Sequence, residues 1–232
     1  MKVEIYSDVA CPWCYIGKRR FDQALATFPG AADVEVIYKP YQLDPAAPSQ
    51  AFPLLARLEK KFGPRAPMMM QRVTEAGRGE GIDMRFADAL AANTLAAHRL
   101  LRLAALEHGA AAQHTLAERL FEAHFTNGID IGDHAELTEL AVAAGLDRSR
   151  VTGYLESGEG LAETRAEIRE AQEIGINAVP TFVFDGRYAI QGGQPAPVLL
   201  QALETVARET AAVPATAPDA DGAVCTDDSC LI

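Results

Sequence analysis

The sequence lacks cysteine over almost its whole length. Of 232 residues only four are cysteines, Cys11 and Cys14 near the start and Cys225 and Cys230 at the end, with none between positions 15 and 224. A small secreted scaffold held by disulfides scatters its cysteines to staple loops. Stapling is therefore excluded as the main source of stability, and two tight pairs point to redox chemistry or metal binding. Aromatic residues are scarce at 7%, so the core must be built from Ala, Leu, Val and Ile. Basic residues are outnumbered, 21 Lys and Arg against 32 Asp and Glu, for a net charge of −11. That balance argues against nonspecific partners such as nucleic acid or an anionic membrane surface. No run of apolar residues is long enough for a membrane-spanning helix. Residues 1–14 hold no signal-peptide apolar stretch, because Lys2, Glu4, Ser7 and Asp8 interrupt it. The expected compartment is the cytoplasm, where thiols stay mostly reduced and a Cys pair is more often catalytic or metal-binding than structural.

What is present is ordinary for a globular chain: 49% apolar and 23% charged residues. The length corresponds to about one and a half domains, enough to bury a core. Val3, Ile5 and Tyr6 among Lys2 and Glu4 read as a short strand. A helical pattern runs from Pro12 to about Ala26, and Phe28-Pro29-Gly30 stops it. Pro12 suits a first helical turn, where its missing N–H costs nothing. Val34 to Lys39 reads as a second strand, and residues 41–50 as a loop. From about residue 53 to 175 every strong signal is helical. Leu90, Thr94, Ala97, Leu101 and Ala104 recur at helical spacing, widened by Leu100, Leu103 and Leu106 into a helix buried on most sides. Further helices are expected over 110–126, 134–144, 147–156 and 160–174, punctuated by Gly109, Asn127-Gly128, Gly145 and Gly158.

The pattern then reverts to strand. Thr181-Phe182-Val183-Phe184 is a strand, Asp185-Gly186 signals a two-residue hairpin turn, and Tyr188 to Gln191 is the returning strand. Pro195 to about Arg208 is a last helix. Residues 211–224 are Ala, Pro and Asp with little to bury, and read as a flexible tail. The chain is thus an α/β protein: β-α-β, a helical block, then β-β-α. The flanking parts, 1–45 and 176–210, can form one sheet, with 46–175 inserted between them and 211–232 trailing.

Cys11-Pro12-Trp13-Cys14 falls at the junction of the first strand and its helix. A thiol attacks as thiolate, and a helix N-terminus offers unpaired N–H groups and partial positive charge that favour it. Cys11 is the expected exposed nucleophile and Cys14, one turn on, the resolving thiol. Lys18 and Arg19 in the next turn are expected to add positive potential. The alternative is a zinc site shared with Cys225 and Cys230, but a Pro-Trp pair opening a long helix is unlike a zinc knuckle; no metal and no cofactor are expected. Val179-Pro180 precedes the strand at 181, where Pro180 cannot act as a central ladder donor. Its placement predicts a cis bond.

The segments Ser7–Phe21 (SDVACPWCYIGKRRF), Asn93–Leu100 (NTLAAHRL), Leu120–Asp133 (LFEAHFTNGIDIGD) and Gly175–Gln194 (GINAVPTFVFDGRYAIQGGQ) together resemble the DsbA-family oxidoreductases of FrnE type. The resemblance covers about residues 1–208. It implies a thioredoxin fold with an all-helical insertion, and thiol–disulfide oxidoreductase or isomerase activity on protein or small-molecule thiols and disulfides. It implies Cys11 as nucleophile, Cys14 as resolving cysteine, and Pro12 and Trp13 as the dipeptide that tunes redox potential. It also implies Pro180 as a cis-proline facing the Cys pair, with Val179 offering backbone groups to an extended substrate. His98 and Arg99 read as core or supporting residues. Asn127, Asp130 and Asp133 read as caps and turns, with cleft lining as the other role. Met68, Met69 and Met70 are candidates for an adaptable apolar surface, although consecutive positions cannot share one helix face.

Cys225 and Cys230, spaced Cys-x4-Cys, resemble an extra pair found in some FrnE-type proteins, which is not part of the general DsbA pattern. Fourteen residues of tail reach at most about 50 Å extended, which allows a disulfide relay to Cys11 and Cys14. Asp219, Asp221, Asp227 and Asp228 surround the pair and should make it the less reactive of the two. The runner-up function is a glutathione-dependent isomerase or transferase acting on small molecules, since the same fold resembles 2-hydroxychromene-2-carboxylate isomerases and kappa-class glutathione transferases. Those carry Ser where this chain has Cys11, which favours the redox reading. A third possibility is a noncatalytic holdase built on the helical block.

Overall fold

The computed structural model describes residues 1–48 and 50–212. Strand β1 (Lys2–Ser7) alternates buried and partly exposed positions, with Val3 and Ile5 turned inward. It runs parallel to β2 (Glu35–Pro40) and antiparallel to β5 (Thr181–Phe184), which pairs with β6 (Tyr188–Gln191). The sheet order is β2-β1-β5-β6. The first and last parts of the chain therefore share one sheet, and β1 lies inside it with pairing on both sides.

Helix α1 (Pro12–Thr27) joins β1 to β2, and α8 (Ala196–Ala212) packs against it. Phe21 stacks on Phe182 of β5 at 5.5 Å between ring centroids, and Leu199, Leu203 and Val206 of α8 complete that part of the core. Between β2 and β5 lie α2 (Leu54–Phe62), α3 (Ala66–Gly79), α4 (Leu95–Phe125), α5 (His134–Ala143), α6 (Arg148–Glu156) and α7 (Leu161–Glu173). The short antiparallel pair β3 (Phe52–Pro53) and β4 (Leu90–Ala91), with α2 and α3 between its two strands, lies among them. Helix α4 contributes Leu100, Leu101, Leu103, Leu116 and Leu120 to the main core. No helix among the described residues is long and apolar enough to cross a membrane.

Two local expectations need correction, and one boundary stands as expected. Leu90 does not open a helix: it pairs with Pro53, and α4 begins at Leu95. The cause is Asn93, whose Oδ1 accepts the Leu95 N–H at 2.9 Å while its Nδ2 donates to the carbonyls of Pro45 and Ala47. The break expected at Gly109 is present: α4 leaves helical geometry there, at φ 82° and ψ 176°, and is two helical stretches joined at a kink; a residue with a Cβ rarely adopts that φ. The β5–β6 turn has three residues, because Phe184 pairs with Tyr188 and leaves Arg187 in the loop. Asp185 is engaged with β1, donating its N–H to the Lys2 carbonyl and accepting the Lys2 N–H on its carboxylate.

Edge strand β2 carries unpaired backbone groups, and one side chain of α4 satisfies two of them. Gln113 accepts the Tyr38 N–H on Oε1 and donates Nε2 to the Tyr38 carbonyl, both at 2.9 Å and buried. A Gln113→Leu variant would leave both backbone groups unpaired. It should lose about 2–6 kcal/mol of unfolding free energy in a urea titration, from about 1–3 kcal/mol for each of the two buried unsatisfied groups. A loss below 1 kcal/mol would show that the clamp contributes little.

Candidate active site

The chain leaves β1 at Ser7 and turns through Asp8 into α1. Asp8 holds this turn: its carbonyl accepts the Cys11 N–H at 2.9 Å, and its carboxylate accepts from Ala10 N and, at 2.7 Å, from Leu43 N. Cys11 is the N-cap of α1 and Pro12 its first residue. The Cys11 carbonyl accepts the N–H groups of Cys14 and Tyr15, but its side chain caps nothing. The thiol is left free and donates instead to the Val179 carbonyl at 3.6 Å. The Val179–Pro180 peptide is cis. Gly17 admits this loop: a Cβ there would stand 2.9 Å from Pro180 Cγ and 3.4 Å from Gly193 Cα. The structure thus brings Cys11, Cys14, Val179 and Pro180 together. Cys225 and Cys230 lie outside the described residues, and with them the expected relay.

The two thiols stand in different surroundings. Burial pushes the Cys14 thiol well up, and the hydrogen bond and charge of Cys11 push it further; the Asp8 N–H and the Ser7 hydroxyl act weakly the other way. Cys14 therefore keeps its proton at neutral pH. Cys11, expected to be exposed, is only 5% accessible. It packs with Leu54, Val73, Phe121 and Phe125, because the helices between β2 and β5 fold over the start of α1. Its access is a cavity of about 250 Å³, lined also by Asp8, Pro12, Trp13, Met69, Met70, Phe86 and His124. Met69 and Met70 thus serve the apolar wall, whereas Met68 is exposed at 67% and packs on nothing in the core.

Lys18 and Arg19 do not supply free positive charge. Lys18 pairs with Asp22 at 2.8 Å and Glu118 at 2.9 Å, and Arg19 with Glu118 at 2.6 Å. The two acids neutralise them and bind α1 to α4. Asp133 caps α5, accepting from Ala135 N and Glu136 N, and Asp130 accepts the Gly132 N–H. Neither of them, nor Asn127, lines the cavity.

Two residues escaped the sequence reading. Asp8 is buried, with His98 Nε2 at 3.4 Å from its carboxylate. Burial pushes its carboxyl up, but the His98 hydrogen bond and charge, with the Leu43 and Ala10 N–H groups, outweigh this and hold it below the usual range. His124 is fully buried, with no partner on either ring nitrogen among the described residues. The signal for Asp8 was a carboxylate three residues before the reactive pair; nothing in the pattern singled out His124 within its helix.

Burial lowers the pKa of His124 from 6.5 to about 4, against a smaller opposing effect of Asp8. A base with a folded pKa below its unfolded value destabilises the fold as pH drops from above 6.5 toward 4, since only the unfolded chain takes up the proton. The loss should approach about 3 kcal/mol at the acid end. Urea titrations at pH 7 and pH 4.5 should show most of this loss in the wild type and much less in His124→Phe; equal losses would refute the assignment.

The whole chain is comparable with known proteins. A family model described as the DSBA-like thioredoxin domain matches residues 2–204. The chain belongs to the DsbA-like family of thiol–disulfide oxidoreductases. The probable DsbA oxidoreductase SCO1869 of Streptomyces coelicolor is 37% identical, with a TM-score of 0.85 over 100% of this chain and 99% of that one. The uncharacterized protein YwbO of Bacillus subtilis (strain 168) is 29% identical over 78% of this chain and 85% of its own. The cytosolic disulfide reductase DsbM of Pseudomonas aeruginosa, solved with glutathione, shares the fold at 19% identity and a TM-score of 0.62, over 90% of this chain and 100% of that one. In this DsbA-like chain the sheet of four strands is the thioredoxin core, and the helices between β2 and β5 are the insertion.

Proposed function

We propose that the protein exchanges disulfides through Cys11 as nucleophile and Cys14 as resolving thiol. The asymmetry of the two thiols carries this reading: Cys14 is buried and held protonated, while Cys11 sits at the cap of α1 on the cavity wall. The Cys11 sulfur attacks a substrate disulfide, forming a mixed disulfide and releasing one substrate half as thiolate. Cys14 then gives up its proton and attacks the Cys11 sulfur. The Cys11–Cys14 disulfide forms, the second half leaves as thiol, and two electrons have passed to the substrate. The reverse sequence oxidises a dithiol. Val179 and its carbonyl, beside the reactive sulfur, would pair with an extended substrate chain. Pro12 and Trp13 would shape the start of α1. Glutathione, found with DsbM, is the first small thiol to test as electron donor, and the reducing cytoplasm is the compartment that suits net reduction.

Cys14→Ser removes the resolving thiol and should trap substrate on Cys11. With insulin as substrate, a covalent adduct should accumulate that dithiothreitol dissolves, visible by intact mass under nonreducing conditions. Undiminished turnover without adduct would overturn the assignment.

A further inference from the structure

The cavity beside Cys11 holds one polar side chain that thiol exchange leaves unused. His124 lies in the last turn of α4, 0% exposed, its ring edge-on to Phe125 at 4.4 Å between centroids. Neither ring nitrogen has a partner among the described residues, and the residue lines the same cavity as Cys11. A buried donor or acceptor left unmade costs about 1–3 kcal/mol, so an apolar residue would serve packing better here.

The surroundings restrict what could satisfy the ring. The imidazole is neutral at pH 7, because its pKa is lowered to about 4. It therefore offers one donor and one acceptor rather than a charge. The charged group acting on it is Asp8, whose carboxylate disfavours an anion nearby. Most of the cavity wall is apolar, with Leu54, Val73, Phe86 and Phe125 in it; of its charged residues, Asp44 and Arg57 pair with each other, and Asp8 and Lys61 complete the set. An occupant must be apolar along its length, uncharged at its tip, and able to hydrogen-bond there.

We propose that this cavity is a specificity pocket for one arm of the disulfide substrate: an apolar arm ending in a neutral hydroxyl or carboxamide that hydrogen-bonds His124 while its sulfur meets Cys11. The proposal rests on Cys11 as nucleophile. On attack the arm's sulfur bonds to Cys11, the substrate S–S bond breaks, and the other half leaves as thiolate with the electron pair. The arm stays in the pocket as a mixed disulfide until Cys14 releases it as a thiol.

The test is single-turnover oxidation of the reduced protein, followed by the fluorescence of Trp13, its only tryptophan. Symmetric disulfides with ω-hydroxyl or ω-carboxamide alkyl arms, from ethyl to hexyl, are compared with alkyl disulfides of the same length. Rates are normalised to those of a free cysteine peptide. At one or more arm lengths a polar-tipped disulfide should react about tenfold faster than its alkyl match, the worth of one neutral hydrogen bond. His124→Phe should erase that ratio while still reacting with the alkyl disulfides. Should the Phe variant fail to fold, His124→Leu reads the same ratio. No preference at any length in the wild type, or a preference that survives in the variant, overturns the pocket assignment. Failure of the underlying reading looks different, since Cys11→Ser would then still be oxidised by the alkyl disulfides.

Discussion

Cys11→Ser should lower insulin-disulfide reduction by about a thousandfold or more, to the level of the uncatalysed thiol reaction. A serine hydroxyl is not ionised near neutral pH and cannot form the S–S bond that carries the substrate. Cys14 cannot substitute, because burial holds its proton and it lies one turn deeper in α1. The fold should survive. The exchange replaces one buried sulfur by oxygen, and the hydroxyl can still donate toward the Val179 carbonyl where the thiol does now. Unfolding free energy should therefore change by less than about 1 kcal/mol, comparable to one neutral hydrogen bond. A folded Cys11→Ser protein that still reduces insulin would sink the nucleophile assignment. A holdase function of the helical insertion would by contrast persist in the same variant, which separates the two activities in one experiment.

Arg99→Met should cause a large loss of stability away from the thiols. Arg99 is buried, yet its guanidinium donates to the carbonyls of Tyr154, Leu155, Ser157 and Glu159. Tyr154 and Leu155 lie in the last turn of α6, where carbonyls have no intrahelical partner and the helix dipole favours a cation. The Tyr154 ring lies 5.0 Å from the guanidinium, and its hydroxyl donates back to the Arg99 carbonyl. Methionine fills a similar volume but offers no donor to these carbonyls; the Tyr154 carbonyl keeps the Ser157 hydroxyl, while the buried Leu155 carbonyl loses its side-chain donor. The expected cost is about 3–5 kcal/mol, a Tm fall on the order of 10 °C for a chain of this size. Lysine should recover only part, because a compact ammonium cannot serve four carbonyls as a planar fork does. Activity per folded molecule at 25 °C should stay within about twofold, since Arg99 does not line the cavity at Cys11. A Tm within 2 °C of wild type would show that water satisfies the carbonyls as well.

Much of this architecture was legible because it is local. Alternation in Lys2–Ser7, the apolar run Thr181–Phe184 and the Gly and Pro punctuation all act within a few residues, and the elements formed where those patterns stood. The errors came from side chains whose partners lie far along the chain. Asn93 moved the start of α4 by reaching back to Pro45 and Ala47, and Asp185 lengthened the hairpin loop by joining β1. The same holds at the site. A helix N-cap is a local property, so the position of Cys11 could be read directly. Its burial could not, because the covering residues Leu54, Val73 and Phe125 come from three other elements. Nor could the fate of Lys18 and Arg19, whose charge is consumed by Asp22 and Glu118.

By itself the sequence determined the chemistry on offer: two thiols one turn apart at a helix start, in a chain with nothing else to form a disulfide before position 225. Spacing and helix polarity suffice for that, since both are set by neighbours along the chain. Only the tertiary structure decided which thiol holds its proton, how a substrate reaches the other, and that an unpaired imidazole shares the cavity. Desolvation and hydrogen-bond satisfaction depend on every group within a few ångströms, and folding alone brings those groups together.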